Sequence, residues 1–209
     1  MTPQEQQQFH QQYHAQLSSS SSVASALPTP PPPIFEAEEC PFHLKNTWMK
    51  DNNHWVGGKL LPKYYDTWAL FFSKYVNAYK KEGIDIWGFT VENEPLGNGN
   101  NWDSMHYTAE EMTQFVQHHL GPKLEADGKG DLVILGYDQN REELKEWVDS
   151  MYKDEASSKY FDGTAIHWYE STYDYFPDAL QYAHQKAPNK YLIQTEACVD
   201  AEVPVWNND

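Results

Sequence analysis

Beyond residue 46 the apolar positions of this chain follow two alternating periods. Trp68, Phe72, Tyr75, Val76 and Tyr79 recur at helical spacing, and Gly83 follows as a stop. Residues 84–91 (IDIWGFTV) then form a short β-prone run. Thr108 and Glu111 spell a T-x-x-E capping box, which opens a helix with Met112, Phe115, Val116 and Leu120 on one face. Residues 131–136 (DLVILG) read as a second strand, and Leu144, Trp147, Val148, Met151 and Tyr152 mark the next amphipathic helix. A third strand is expected over 161–169 (FDGTAIHWY), a helix over 177–186, and a fourth strand over 191–198 (YLIQTEAC).

Strands separated by helices pair in parallel through crossover connections. Two α/β architectures satisfy that rule, an open doubly wound sheet and a (β/α)8 barrel. No glycine-rich phosphate loop follows any strand, which argues against a nucleotide-binding open sheet. The strand ends instead carry acidic, amide and aromatic residues: ENEP, YDQNR, HWYE and QTEAC. A TIM barrel collects its chemistry at those C-terminal ends. The expected fold is therefore a partial (β/α)8 barrel with about four of its eight strands, cut at both ends.

The first 34 residues differ in kind, with a Gln/His-rich stretch, the serine run 18–22 and the proline run 30–33. Such composition offers too little apolar surface to offset ordering entropy, so no fixed structure is expected there. Residues 35–46 read as a junction, and the chain divides into a low-complexity segment 1–45 and a barrel segment 46–209. The formal net charge of −16 repels phosphate backbones and anionic headgroups, which excludes nucleic acid as a partner. No apolar run approaches the roughly 18–20 residues of a transmembrane helix. The N-terminus has neither the basic nor the apolar region of a signal peptide. Cys40 and Cys198 sit far apart in metal-unlike contexts, and no cofactor or metal is implied.

Glu94 and Glu196 carry the chemical argument. Each falls at the C-terminal end of an expected strand, so a barrel aims both at one mouth. Two facing carboxylates are what glycosidic-bond cleavage needs: one protonates the leaving oxygen, and the other attacks or stabilises the oxocarbenium centre. Asn93 precedes Glu94 and suits a sugar hydroxyl such as the 2-OH, while Pro95 ends the pairing and fixes the turn. Asp138 and Arg141 are expected to form a structural polar pair.

GFTVENEP, LGYDQNR, AIHWY and QTEAC, in that order, resemble the catalytic domain of family 30 glycoside hydrolases, nearest to its glucosylceramidase (acid β-glucosidase) branch. The upstream stretch TWMKDN and the segment GGKLLPKYYDTWALFFSKYVNAYKKEGI add to the likeness, which covers roughly residues 46–209. The resemblance implies a retaining O-glycosyl hydrolase acting on β-glucosidic bonds, of glucosylceramide or a β-glucan, by double displacement. It implies Glu94 as general acid/base and Glu196 as nucleophile. Asn93, Trp48, His167, Trp168, Tyr169 and, less directly, Gln139 are implied as substrate-binding residues. Relatives are lysosomal or secreted, but the compartment of this chain stays open.

Family members also have barrel strands before Trp48, a last strand and a β-sandwich domain, and this sequence shows none of them. A second reading is therefore an inactive barrel fragment that serves as a carbohydrate-binding or interaction module. A third is another barrel glycosidase, such as a cellulase-like endo-enzyme sharing the N-E-P acid.

Overall fold

Four short parallel strands form one sheet in chain order: β1 (Gly88–Thr90), β2 (Val133–Gln139), β3 (Gly163–Ile166) and β4 (Tyr191–Gln194). The computed structural model describes residues 47–96, 102–169 and 175–197, all within the compact unit Pro41–Asp209. The low-complexity segment 1–45 and both cysteines lie outside the described residues.

Helix α1 (Tyr65–Lys81) precedes β1 and ends at Glu82 and Gly83, whose φ of 77° suits a residue without Cβ. The capping box forms as the sequence predicts, with Glu111 N–H donating to Thr108 Oγ1 and Thr108 N–H to Glu111. It opens α2 (Ala109–Phe115). The helix does not stop at Leu120 but widens into a π turn over Val116–Leu120 and continues as α3 (Gly121–Ala126). Pro122 explains the widening, because it has no N–H for the carbonyl one turn back. Between β2 and β3 lie α4 (Leu144–Met151) and the short α5 (Glu155–Ser158), and α6 (Pro177–Lys186) precedes β4.

Side-chain alternation divides the sheet into two faces. Val133, Leu135, Ala165 and Ile193 gather on one face as a small apolar cluster. Ile134 and Ile166 turn to the other, where they join the main core with Trp147, Val148 and Met151 of α4 and Phe115 of α2. Strand β2 is buried throughout, as a central parallel strand should be. Its end breaks the alternation. Tyr137 (φ 74°) and Asp138 (φ 56°) are left-handed, and the pairing register to β3 shifts between Tyr137 and Gln139. This bulge sends Tyr137 outward against Trp147, with ring centroids 5.3 Å apart.

The sheet is curled. Laid flat, β1 and β4 would stand about 14 Å apart, three strand intervals. Yet the rings of Trp87, just before β1, and Tyr191, at the start of β4, approach to 5.7 Å between centroids. This is the curvature of a barrel wall, and the described part of the chain is a partial TIM barrel. Strand β1 is shorter than the expected 84–91 because its partner only begins at Val133, whose N–H donates to the Trp87 carbonyl at 3.0 Å.

Close approach of β1 to β2 depends on Gly88. A Cβ there would stand 2.5 Å from the Val133 carbonyl oxygen, which belongs to the paired backbone and cannot turn aside. Gly88→Ala should cost about 1–3 kcal/mol of stability. Urea midpoints of the two chains check this, and coincident midpoints would contradict it.

Candidate active site

Glu94 leaves the end of β1 in a left-handed conformation (φ 48°), which a β-carbon tolerates only where its surroundings enforce it. The enforcing contact is its own N–H, which donates to the Asp138 carbonyl at 2.9 Å. That carbonyl belongs to the β2 bulge. The same bulge turns the Asp138 side chain toward β3 and β4. There Asp138 Oδ1 lies 3.0 Å from His167 Nε2 and accepts the Thr195 hydroxyl at 2.6 Å. The other ring nitrogen, His167 Nδ1, stands 3.2 Å from Glu94 Oε1. Residues from all four strand ends thus join one network around Asp138 and His167. Arg141 does not pair with Asp138 as expected. It donates through Nε to the His167 carbonyl (3.1 Å) and through Nη1 to that of Tyr175 (3.2 Å).

Glu196 follows β4, and its Oε2 lies 3.8 Å from His167 Nε2. One carboxylate oxygen each of Glu94 and Glu196 and a His167 ring nitrogen all lie within 4.8 Å of one another. Such a triad has donors enough for a cation. Both nitrogens of His167 also lie within hydrogen-bond reach of a carboxylate, Nδ1 of Glu94 and Nε2 of Asp138. The cluster reads as a hydrogen-bonded carboxylate–imidazole network.

Burial disfavours charge on His167, but the hydrogen bond and charge of Asp138, joined by Glu94 and Glu196, outweigh it and raise its pKa above the ordinary 6.5. A raised folded-state value means that protonation favours the fold. The contribution is complete below about 6.5 and fades as pH rises through the folded-state value.

Above the network opens a cavity of about 660 Å³, walled by Asn93, Glu94, Trp102, Asp103, Gln139, Asn140, Tyr169 and Glu196. Five residues expected from sequence, Asn93, Glu94, Gln139, Tyr169 and Glu196, therefore share one wall. Three do not. His167 has no exposed side-chain surface and is not among the residues that wall the cavity. The Trp168 indole nitrogen is buried, and its ring leans on Tyr169 outside the wall. Trp48 packs edge-on against Tyr64 at 4.9 Å, also outside the wall. Sequence reasoning passed over Asn140, whose Oδ1 accepts the Tyr169 N–H at 2.8 Å, and Thr195, Trp102 and Asp103. Asn140 and Thr195 sit inside the quoted YDQNR and QTEAC strings, so their strand-end position was the available signal.

Residues 37–207 match the Glycosyl hydrolase family 30 TIM-barrel domain. The chain belongs to glycosyl hydrolase family 30. Within that family it is 34% identical over 165 residues to the lysosomal acid glucosylceramidase of Mus musculus, covering 75% of this chain and 32% of the relative. Among solved structures, SrfJ from Salmonella typhimurium superposes with a TM-score of 0.70 at 34% identity, over 77% of this chain and 36% of SrfJ. The endo-beta1,6-glucanase BT3312 does so with a TM-score of 0.66 at 35% identity, over 74% of this chain and 36% of its own. The chain spans about a third of the length of these family 30 relatives.

The network makes a spectroscopic prediction. In a nitrogen-15 NMR titration His167 should change charge at a midpoint above 6.5, and Asp138→Asn should lower that midpoint. Equal midpoints in the two chains would refute the part assigned to Asp138.

Proposed function

We propose that this chain carries the two-carboxylate centre of a retaining O-glycosyl hydrolase acting on β-glucosidic bonds. The observation that carries the reading is the approach of the Glu94 and Glu196 carboxylate oxygens to within 4.8 Å. Retaining enzymes hold their carboxyl groups about 5–5.5 Å apart, whereas inverting ones need about 6.5–9.5 Å to admit a water between them.

In this reading Glu94, the more enclosed carboxylate, gives its proton to the glycosidic oxygen. Glu196, the more open one, attacks the anomeric carbon, so a glycosyl–Glu196 ester forms as the bond to the leaving group breaks. Glu94, now ionised, then takes a proton from water, whose oxygen displaces Glu196 and regenerates both carboxyls. Asn93, beside the acid, holds a ring hydroxyl, and Gln139, Asn140 and Tyr169 supply further polar contacts along the wall. His167, fixed by Asp138, orients Glu94 and lies beside Glu196. Glucosylceramide and β-1,6-glucan are the substrate classes suggested by the names of the relatives.

Glu196→Gln should lower turnover of an aryl β-glucoside by at least ~10³-fold. Glu94→Gln should cost about 10²–10⁴-fold on substrates whose leaving group needs protonation. It should cost much less where the leaving group departs unaided. Steady-state rates on a nitrophenyl and an alkyl β-glucoside check both. Equal losses of the Glu94 variant on the two substrates would remove the acid role. A wild-type chain that binds glucosides without turnover would favour a carbohydrate-binding module instead.

A further inference from the structure

The cavity wall beside Glu94 is built by a segment the catalytic steps do not use, residues 102–107, and this segment is tied down with unusual completeness. Lys50, buried although cationic, donates through Nζ to the Ser104 carbonyl at 2.7 Å and the Trp55 carbonyl at 3.0 Å. Glu92, two residues before Glu94, accepts the Met105 N–H at 3.0 Å. Ser104 N–H reaches the Trp55 carbonyl (3.2 Å), Ser104 Oγ accepts the Gly57 N–H (2.9 Å), and His106 N–H reaches the Gly58 carbonyl (2.7 Å). Tyr107 N–H closes the segment onto the Pro95 carbonyl at 3.3 Å.

Removal of Lys50 and Glu92 from water has a visible cost. Burial lowers the Lys50 pKa against the pull of Glu92, Asp103 and Asp51. Burial likewise pushes the Glu92 carboxyl up to about 8, against the Met105 hydrogen bond and the Lys50 charge, although the residue as a whole keeps some exposed surface. Two such groups behind one short stretch of backbone fix what that stretch presents. It presents Trp102, 43% exposed, and Asp103 to the cavity.

We propose that Trp102 is a stacking platform for a second sugar ring on the leaving-group side of the bond, held in place by the buried Lys50–Glu92 clamp. The inference rests on the glycosidase reading for the identity of the ligand. The platform flanks the strand that carries the proton donor, and that is where the departing group must lie. An indole face offers a pyranose ring a flat apolar surface for its C–H groups, while the Asp103 carboxylate beside it accepts hydroxyls at the ring edge. An acyl chain at the same place would bury that carboxylate against hydrocarbon, which is costly. The occupant is therefore a sugar, and the substrate a β-linked glucose oligosaccharide.

Binding to the full chain, followed by NMR titration, separates this from catalysis. The probes are a β-1,6-linked glucose disaccharide, glucose, and octyl β-glucoside. Trp102→Ala should weaken disaccharide binding by roughly fivefold to tenfold and glucose binding by less than twofold. Trp102→Phe should stay within about threefold of wild type, because it keeps an aromatic face. Lys50→Met should weaken the disaccharide selectively, and the half-exposed Trp102 variants keep the test decisive should that chain fail to fold. Equal loss on disaccharide and glucose, no loss on either, or no disaccharide binding by wild type would each overturn the proposal. A Trp102→Ala loss confined to octyl β-glucoside would overturn the sugar assignment. Wild-type binding with the expected pattern but no hydrolysis would leave the platform standing and remove the glycosidase reading instead.

Discussion

At the end of β2 one backbone irregularity does the work of a whole site. The left-handed pair Tyr137–Asp138 reverses the side-chain parity of the strand, sending an aromatic ring to the helices and a carboxylate to the sheet interior. Asp138 then binds β3 through His167 and β4 through Thr195, and its carbonyl holds the Glu94 backbone of β1. A regular strand would have pointed Asp138 at the apolar core, an expensive place for an unpaired charge. Without the bulge neither Glu94 nor His167 has its anchor, and the two catalytic candidates lose their common reference. Strain in three left-handed residues is offset by hydrogen bonds that exist only in this arrangement, as expected where strain gathers at a functional site.

Curvature is the second requirement. Carboxylates on the first and fourth strands of a flat sheet would be kept apart by their parent strands, about 14 Å distant. Here the sheet curls until Trp87 meets Tyr191 at one end and Glu94 approaches Glu196 at the other. Family 30 membership and the likeness to SrfJ explain the curl as the wall of a TIM barrel. Barrel geometry accounts for both encounters.

Local signals in the sequence translated well. The Thr108–Glu111 box formed because both its bonds lie within one turn, and the helix over 177–186 has the expected bounds because Pro177 opens it. Strand-end carboxylates were legible as well, since N-E-P and T-E-A each follow an apolar run. What escaped the sequence is non-local. A bulge depends on the partner strand, so Asp138 gave no sign that it would leave Arg141 for His167. His167 was implied as a ligand contact by the resemblance of the HWY segment, and its burial beside Glu94 and Asp138 depends on contacts that no local pattern encodes. Trp102 and Asp103 sit at the cavity on a segment anchored by residues distant in sequence, Lys50 and Glu92 among them, and no periodicity encodes such a link.

The claim at the centre of this account is that Glu94 and Glu196 cooperate across a single bond with only one carboxylate-length gap between them. The stereochemistry of the first-formed product reports on that gap directly. Proton NMR of the anomeric signals during the opening minutes of β-glucoside hydrolysis, before mutarotation, should show β-glucose. First appearance of the α anomer would mean direct attack by water, and would contradict a covalent Glu196 intermediate at the separation this structure holds.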